Sequence, residues 1–295
     1  WIKAKPEHAM QWPSPWGNGY PGWHIECSAM STKYLGETFD IHGGGMDLIP
    51  THHTNEIAQS MACNHAEPVK YWLHTNMLTV NGQKMSKSLG NAFLPHELFT
   101  GTHPLLEKGY SPMTVRYFML QAHYSSTLDF TNDALNASEK GYKRLMNSLQ
   151  YLQQMQPAEK ITTEDESAVN KFFFDVYAGM NNDFNSAQAI AALNEVATLI
   201  NTWHHTKNNE AAVLPYTLER LKNVYRIFIA DILGLKAEED NNNNLLNGLM
   251  ELVIDIRKEA RTKKDFATSD KIRDTLKEIG ILLKDGKEKT GWEVE

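Results

Sequence analysis

The chain's 295 residues, 41% of them hydrophobic, suffice for two or three domains with a sizeable core, and no apolar run approaches the roughly twenty residues a membrane-spanning helix needs. Its 36 acidic against 29 basic side chains give a formal net charge of -7. With a mean hydropathy of -0.47, this is an ordinary soluble composition and not that of a globally basic nucleic-acid binder, although a local basic patch stays open because salt confines each charge's field to about 10 Å.

The chain opens Trp1-Ile2-Lys3-Ala4-Lys5-Pro6, with neither an initiator methionine nor an apolar signal core, and reads as a fragment, not a secretory precursor. Residues 1–130 mix short apolar runs with Gly and Pro, in the manner of an α/β domain. Thr38-Phe39-Asp40-Ile41 and Trp72-Leu73-His74 read as strands, Asn76 to Val80 as a strand end, and Ile57 to Cys63 and Thr114 to Leu120 as helices. Strands alternating with helices predict a mostly parallel sheet. From Asn132 the glycines thin out, and apolar residues fall at helical spacing over 134–155, 166–180, 186–204 and 214–233, which predicts a helical bundle over 131–236. In the third of these, Ile190, Leu193, Ala197 and Ile200 make the apolar stripe and Asn185-Ser186 supply the cap. Residues 237–244, acidic and then asparagine-only, have no apolar face and predict a mobile linker. A small module over 245–295 follows, with helices over 245–263 and 267–279 and a hairpin through Ile281, Gly286 and Trp292.

Lys84-Met85-Ser86-Lys87-Ser88-Leu89-Gly90-Asn91 comes after the strand end and the Asn81-Gly82 turn signal, so its lysines are expected on a loop leaving a sheet. Ammonium groups placed there act as mobile point charges on a pyrophosphate, and the hydroxyls of Ser86 and Ser88 add hydrogen bonds. As a bare Lys-x-x-Lys the segment is equally a solvated basic turn. Cys27, His52 and Glu56 form a second set. His52 and Glu56 stand four apart after Pro50, a helix-starting residue, so both project from one helix face at metal-ligand spacing. Alone, such a pair is as readily a surface hydrogen bond, and His42 and His53 offer other ligands. Cys27 and Cys63 are the only cysteines, which excludes a disulfide framework and points to a reducing compartment, the cytoplasm, where a thiolate can serve a metal.

The complete Lys84 to Ser88 pentapeptide with its Leu-Gly-Asn continuation resembles the signature loop of class I aminoacyl-tRNA synthetases. Gly22-Trp23-His24-Ile25-Glu26-Cys27, then Asp40-Ile41-His42-Gly43-Gly44-Gly45-Met46-Asp47, then His52-His53-Thr54-Asn55-Glu56 together resemble the cysteine-specific branch, the cysteinyl-tRNA synthetases. The likeness continues through Tyr117, His123-Tyr124 and Asn182-Asp183-Phe184-Asn185. It implies the C-terminal part of a Rossmann-like catalytic domain over 1–130, a tRNA-binding helical bundle, and a small α+β anticodon-binding module. The implied activity is ATP-dependent activation of cysteine, with Mg2+ accompanying ATP, and transfer of the cysteine to tRNA(Cys) by a monomer.

By that resemblance Cys27, His52 and Glu56 hold Zn2+, which binds the substrate thiolate. Trp23 and His42 line the cysteine pocket. Gly43, Gly44, Gly45, Asp47, Ser86, Lys87 and Ser88 serve ATP and the adenylate, and Lys84 and Lys87 are catalytic. A borderline-soft ion prefers sulfur to the hydroxyl of serine, so selection needs no editing site. Two departures from the family stand out. Ile49-Pro50-Thr51 precedes His52 where the family sets an aromatic-proline pair directly before the histidine, and the family's fourth zinc ligand and His-Ile-Gly-His-type ATP motif belong upstream of residue 1. The isolated chain is therefore expected to be inactive. Cys63 is expected as a buried small hydrophobe. Arg257, Lys258, Arg261, Lys263 and Lys264 are expected on tRNA phosphates, with Trp292 stacked on an unpaired base. The alternatives are a cysteine ligase acting on an amino sugar, which needs no anticodon-binding half, and a non-catalytic tRNA-binding piece.

Overall fold

The computed structural model describes residues 1–206, 209–238, 241–263, 265–285 and 290–294. It divides into two units, Trp1–Lys236 and Ala237–Glu295.

In the first unit, β1 (Ile2–Lys3) and β2 (Gly19–Tyr20) pair antiparallel ahead of α1 (Trp23–Leu35). β3 (Phe39–Gly45) runs on through the glycine triplet, and a 3-10 turn (Met46–Leu48) and a π-type turn (Ile49–His53) carry the chain into α2 (Thr54–Asn64). Pro50 thus lies in the turn that launches the helix. β4 (Val69–Thr75) returns parallel to β3, with His42 opposite Trp72 and Gly44 opposite His74. At Asn76 the chain leaves this sheet, its N–H donating to the Tyr124 carbonyl at 3.2 Å. β5 (Leu78–Val80) then forms a hairpin with β6 (Gln83–Lys84) and pairs parallel with β7 (Leu128–Phe130). The α/β region is therefore three small sheets, two of them with parallel pairing. α3 (Pro95–Thr100) and α4 (Pro112–Leu120) pack around the last sheet, where Val80, Leu98, Tyr110, Val115, Phe118, Phe130 and Leu135 make a core onto which Met85 folds.

The predicted bundle is present as α5 (Asn132–Gln154), α6 (Thr163–Asn181), α7 (Ser186–Thr206) and α8 (Pro215–Arg226), the last prolonged by a π-type stretch, Ile227–Ile232. Thr131 and Thr162 cap α5 and α6 by accepting from Ala134 N and Asp165 N. Asn185 accepts from Gln188 N at 3.0 Å and so caps α7. A short parallel pair, β8 (Gln156–Pro157) and β9 (Glu210–Ala211), ties the ends of α5 and α7. Ile190, Leu193, Ala197 and Ile200 are all buried, as their spacing requires. α6 and α7 approach so closely at Gly179 that a Cβ there would stand 2.8 Å from the Ala189 nitrogen. Leu193 has no exposed surface, so Leu193→Ala should lower unfolding stability by about 2–5 kcal/mol, read as a shift of the urea midpoint.

The second unit holds α9 (Asn241–Thr262), α10 (Phe266–Glu278) and an antiparallel hairpin of β10 (Ile281–Asp285) and β11 (Thr290–Val294). Two expectations change here. Residues 241–244, read as linker, are the first turn of α9, because a helix nucleated by the amphipathic stretch beyond them gains a hydrogen bond per added residue and asparagine opposes this only mildly. Trp292 packs against the core of Met250, Leu276 and Ile281 instead of standing free for a base. Residues 239–240, Lys264 and Gly286 lie outside the described residues.

Candidate active site

α1 and the entry to α2 bring Cys27, His52 and Glu56 together, with one ligand atom from each lying within 4.8 Å of the others. Glu56 is 2% exposed and His52 7% exposed, so the carboxylate is buried among histidines. His52 Nε2 is 2.8 Å from Glu56 Oε1, and His42 Nε2 is 3.0 Å from Glu56 Oε2. Despite these close approaches, Glu56 Oε1 and His42 Nε2 lack hydrogen-bond geometry to any partner. Buried polar atoms left in this state destabilise a fold unless something else satisfies them, and a cation between them does so. One thiolate, one imidazole and one carboxylate form a donor set suited to Zn2+, with coordination left open for a substrate atom.

Burial, followed by the charges of Glu56 and Glu26, pushes the Cys27 thiol up from its ordinary range, so without a cation it stays protonated at neutral pH. Metal binding must then release that proton, and the sign follows: affinity grows as pH rises toward the thiol pKa. Between pH 7 and 8 zinc affinity should rise about tenfold, measured by chelator competition. A flat profile would remove Cys27 from the ligand set.

The histidine cluster is larger than the sequence suggested. His42, His53 and Glu56 form a second trio with ligand atoms within 4.8 Å of one another, so Glu56 is shared between two candidate sets. His53 Nδ1 lies 2.8 Å from His74 Nε2, and burial, with His42, His74 and His52 adding to it, lowers the His53 pKa to about 4. Trp72 packs its ring 4.9 Å from that of His42 and 4.7 Å from that of His53, centroid to centroid. Trp72 and His74 carried no site assignment from sequence; the signal was their two-residue alternation on a strand parallel to β3, which puts both on the face of His42. Trp23 is not a core residue. It is 61% exposed at the start of α1, its ring centroid 4.3 Å from that of His52. Cys63 is exposed, contrary to expectation, because the inward stripe of α2 runs Glu56, Ser60, Asn64 and leaves it outside; Asn64 donates to Thr32 at 3.3 Å.

The glycine triplet ends β3 where neighbours crowd the backbone. A Cβ on Gly44 would stand 2.7 Å from the His53 ring, and one on Gly45 would collide with the Asp47 carboxylate. The exposed Asp47 side chain could swing away, but the buried His53 ring could not, so the requirement for glycine is strict at Gly44. Asp47 follows in the 3-10 turn with its side chain exposed.

The lysine segment is built as a displayed loop. Lys84 ends β6, and Lys87 opens a 3-10 turn, Lys87–Leu89, capped by Ser86, which accepts from Leu89 N. Ser86 Oγ and Ser88 Oγ are 2.8 Å apart. Both lysines are exposed and neither makes an ion pair among the described residues, so their charges remain free for an anion. Two residues hold the loop from beneath. Buried Asn91 accepts from Ser86 N at 2.8 Å and donates to the Lys84 carbonyl at 3.2 Å, while Asp129 Oδ1 accepts from Thr79 Oγ1 at 2.7 Å and Gly82 N at 2.9 Å. Asn91 was quoted only as part of the motif, and Asp129 gave no signal because its partners are remote in sequence. The three lobes, metal trio, glycine strand and lysine loop, all lie in the first unit.

Residues 1–140 match the tRNA synthetases class I (C) catalytic domain, and residues 175–238 match the DALR domain. The chain therefore carries a class I tRNA synthetase catalytic domain and a DALR domain. Over its full length it is 50% identical to the cysteine–tRNA ligase of Cytophaga hutchinsonii and 47% identical to that of Porphyromonas gingivalis, covering 100% of this chain and 59% of each relative. The cysteine–tRNA ligase of Chlorobaculum tepidum is 41% identical over 99% of the chain. The chain thus spans about 59% of the length of the first two relatives. Among solved structures, Agrobacterium radiobacter K84 agnB2 LeuRS in its ternary complex with tRNA and LeuAMS shares the fold, with a TM-score of 0.51 at 18% identity over 76% of this chain and 33% of that one.

Proposed function

We propose that the protein containing this chain is a cysteine–tRNA ligase that forms cysteinyl-adenylate from cysteine and ATP and passes the cysteine to tRNA(Cys). The observation that carries this reading is the meeting of Cys27, His52 and Glu56 beside Trp23 and His42 in a chain similar throughout to cysteine–tRNA ligases. Zn2+ held by these three residues supplies a soft Lewis acid that lowers the pKa of a thiol and favours sulfur over oxygen. Trp23 and His42 line the amino-acid pocket, with His42 Nε2 3.0 Å from the Glu56 carboxylate. Asp47 accepts from the ribose hydroxyls, and Gly43 to Gly45 admit the nucleotide close to the backbone. The substrate carboxylate attacks the α-phosphorus of ATP, forming a carboxylate–phosphorus bond as the bond to pyrophosphate breaks, and Lys84 and Lys87, with Mg2+ carried by ATP, neutralise the departing charge. The helical bundle and terminal module hold the tRNA, with the exposed Lys258, Arg261 and Lys263 on its phosphates; Arg257, expected beside them from sequence, is buried and takes no part. The protein acts as a monomer in the cytoplasm.

The test is pyrophosphate exchange by the protein containing this chain, with cysteine or serine as substrate. Exchange with cysteine and not with serine supports the reading, and its absence with cysteine overturns it. The amino-sugar alternative is not favoured, because the curated relatives are named as ligases of tRNA.

A further inference from the structure

The turn between α6 and α7 is strained. Asp183 and Phe184 are successive non-glycine residues in the left-handed region, with φ of 54° and 53°. Aspartate tolerates this region, but a residue as bulky as Phe184 adopts it rarely and persists there only where its surroundings hold it. The end of α6 holds the turn from within, Phe184 N donating to the Met180 carbonyl at 3.1 Å and Asn185 N to the Gly179 carbonyl at 3.0 Å, and residues 123–125 hold it from outside the bundle. The Tyr124 hydroxyl donates to Asp183 Oδ1 at 2.7 Å, and His123 Nε2 lies 3.0 Å from the Asp183 carbonyl. That carbonyl can only accept, so Nε2 carries the proton and Nδ1, 2.6 Å from Ser125 Oγ, accepts from the hydroxyl. The His123 ring stacks on Tyr124 with centroids 4.6 Å apart.

The same segment grips the junction of the two sheets that bear the site. Asn76 donates its N–H to the Tyr124 carbonyl at 3.2 Å and its side-chain amide to the Ser125 carbonyl at 3.1 Å. Asn76 directly follows β4, the partner of the glycine strand, and comes just before β5, whose hairpin partner ends at Lys84. Phe184, Tyr124, Leu120 and Thr75 also line a cavity of about 600 Å³ that opens onto Gly43, Gly44 and Gly45. Residues 123–125 are therefore hydrogen-bonded to the bundle's turn on one side and, on the other, to Asn76 at the junction between the glycine-strand sheet and the lysine-loop sheet.

We propose that Asp183 and Tyr124 are positioning residues which set the lysine-loop sheet against the glycine strand, using the helical bundle as the frame. This rests on the ligase reading for its kinetic consequence. The cysteine pocket lies on the side of β3 that faces α1 and α2, so misplacing the loop should slow adenylate formation and leave cysteine binding alone; displacements near 1 Å cost up to about 100-fold in rate.

Three variants of the protein containing this chain test it. Tyr124→Phe deletes the hydroxyl, Asp183→Gly deletes the acceptor while relieving the backbone, and Asp183→Asn keeps an acceptor oxygen in a residue that tolerates the left-handed region. Tyr124→Phe and Asp183→Gly should lower kcat of cysteine-dependent pyrophosphate exchange about tenfold with KM for cysteine within about twofold, Asp183→Gly without loss of Tm, and Asp183→Asn should stay within about twofold of the parent. The first two should also speed amide hydrogen exchange across 76–91. Unchanged kcat in the parent-active background, or a kcat loss that merely follows Tm, overturns the proposal. If the parent shows no exchange with cysteine, the ligase reading fails, and amide exchange decides the coupling alone: no change across 76–91 overturns it.

Discussion

On the proposed function, Lys87→Ala in the protein containing this chain should lower kcat for cysteine-dependent pyrophosphate exchange by about 10²–10³-fold, or ~3–4 kcal/mol of transition-state stabilisation, the size expected when one preorganised electrostatic partner of a developing charge is removed. The structure makes this a clean experiment. Lys87 is exposed, its side chain holds no ion pair among the described residues, and the loop backbone is fixed by Asn91 and Ser86 through contacts the substitution leaves alone. Stability and KM for cysteine should therefore stay near the parent values while kcat falls. A drop smaller than about fivefold would show that the loop does not reach the reacting phosphates.

Cys27→Ala should remove bound zinc and cysteine-dependent exchange together. The variant keeps His52 and Glu56 but loses the thiolate, and the loss should exceed the roughly 10–100-fold seen when a group only hydrogen-bonded to a ligand is deleted. Metal content by elemental analysis and exchange activity are the paired readouts. Zinc retained at full occupancy would assign it to His42, His53 and Glu56, the competing trio around the same carboxylate, and would take the thiol out of the selection of substrate.

What could be read from the sequence was local. His52 and Glu56 come together because their spacing demands it, and the cap at Asn185 sits where its side chain can reach the next turn. The parts that escaped depend on pairing across the chain. Trp72 and His74 join the histidine cluster only because β4 lies parallel to β3 in a register that no local pattern specifies, and Asp129 supports the lysine hairpin from the far side of a third strand. Burial of Cys63 is expected because free cysteines behave as small hydrophobes, but the inward positions of α2 are Glu56, Ser60 and Asn64 and it falls outside them. The helical asparagines at 241–244 fail a propensity argument for another reason: composition measures what a segment prefers alone, and here the helix extends from its neighbour.

α1 carries Cys27 and Trp23 yet buries none of its side chains, and its named polar ties to α2 are Ser28 to Gln59 and Thr32 to Asn64. An ion shared between Cys27 and the His52/Glu56 pair would be the firmest tether the helix has, closing the loop between residues 27 and 52. Chelation should then free α1 well before the bundle core melts, so that amide protection vanishes over 23–35 alone. The atom that chooses the amino acid would thereby also be the rivet that keeps the choosing surface in shape, and a protein short of zinc would lose discrimination and local order in one event.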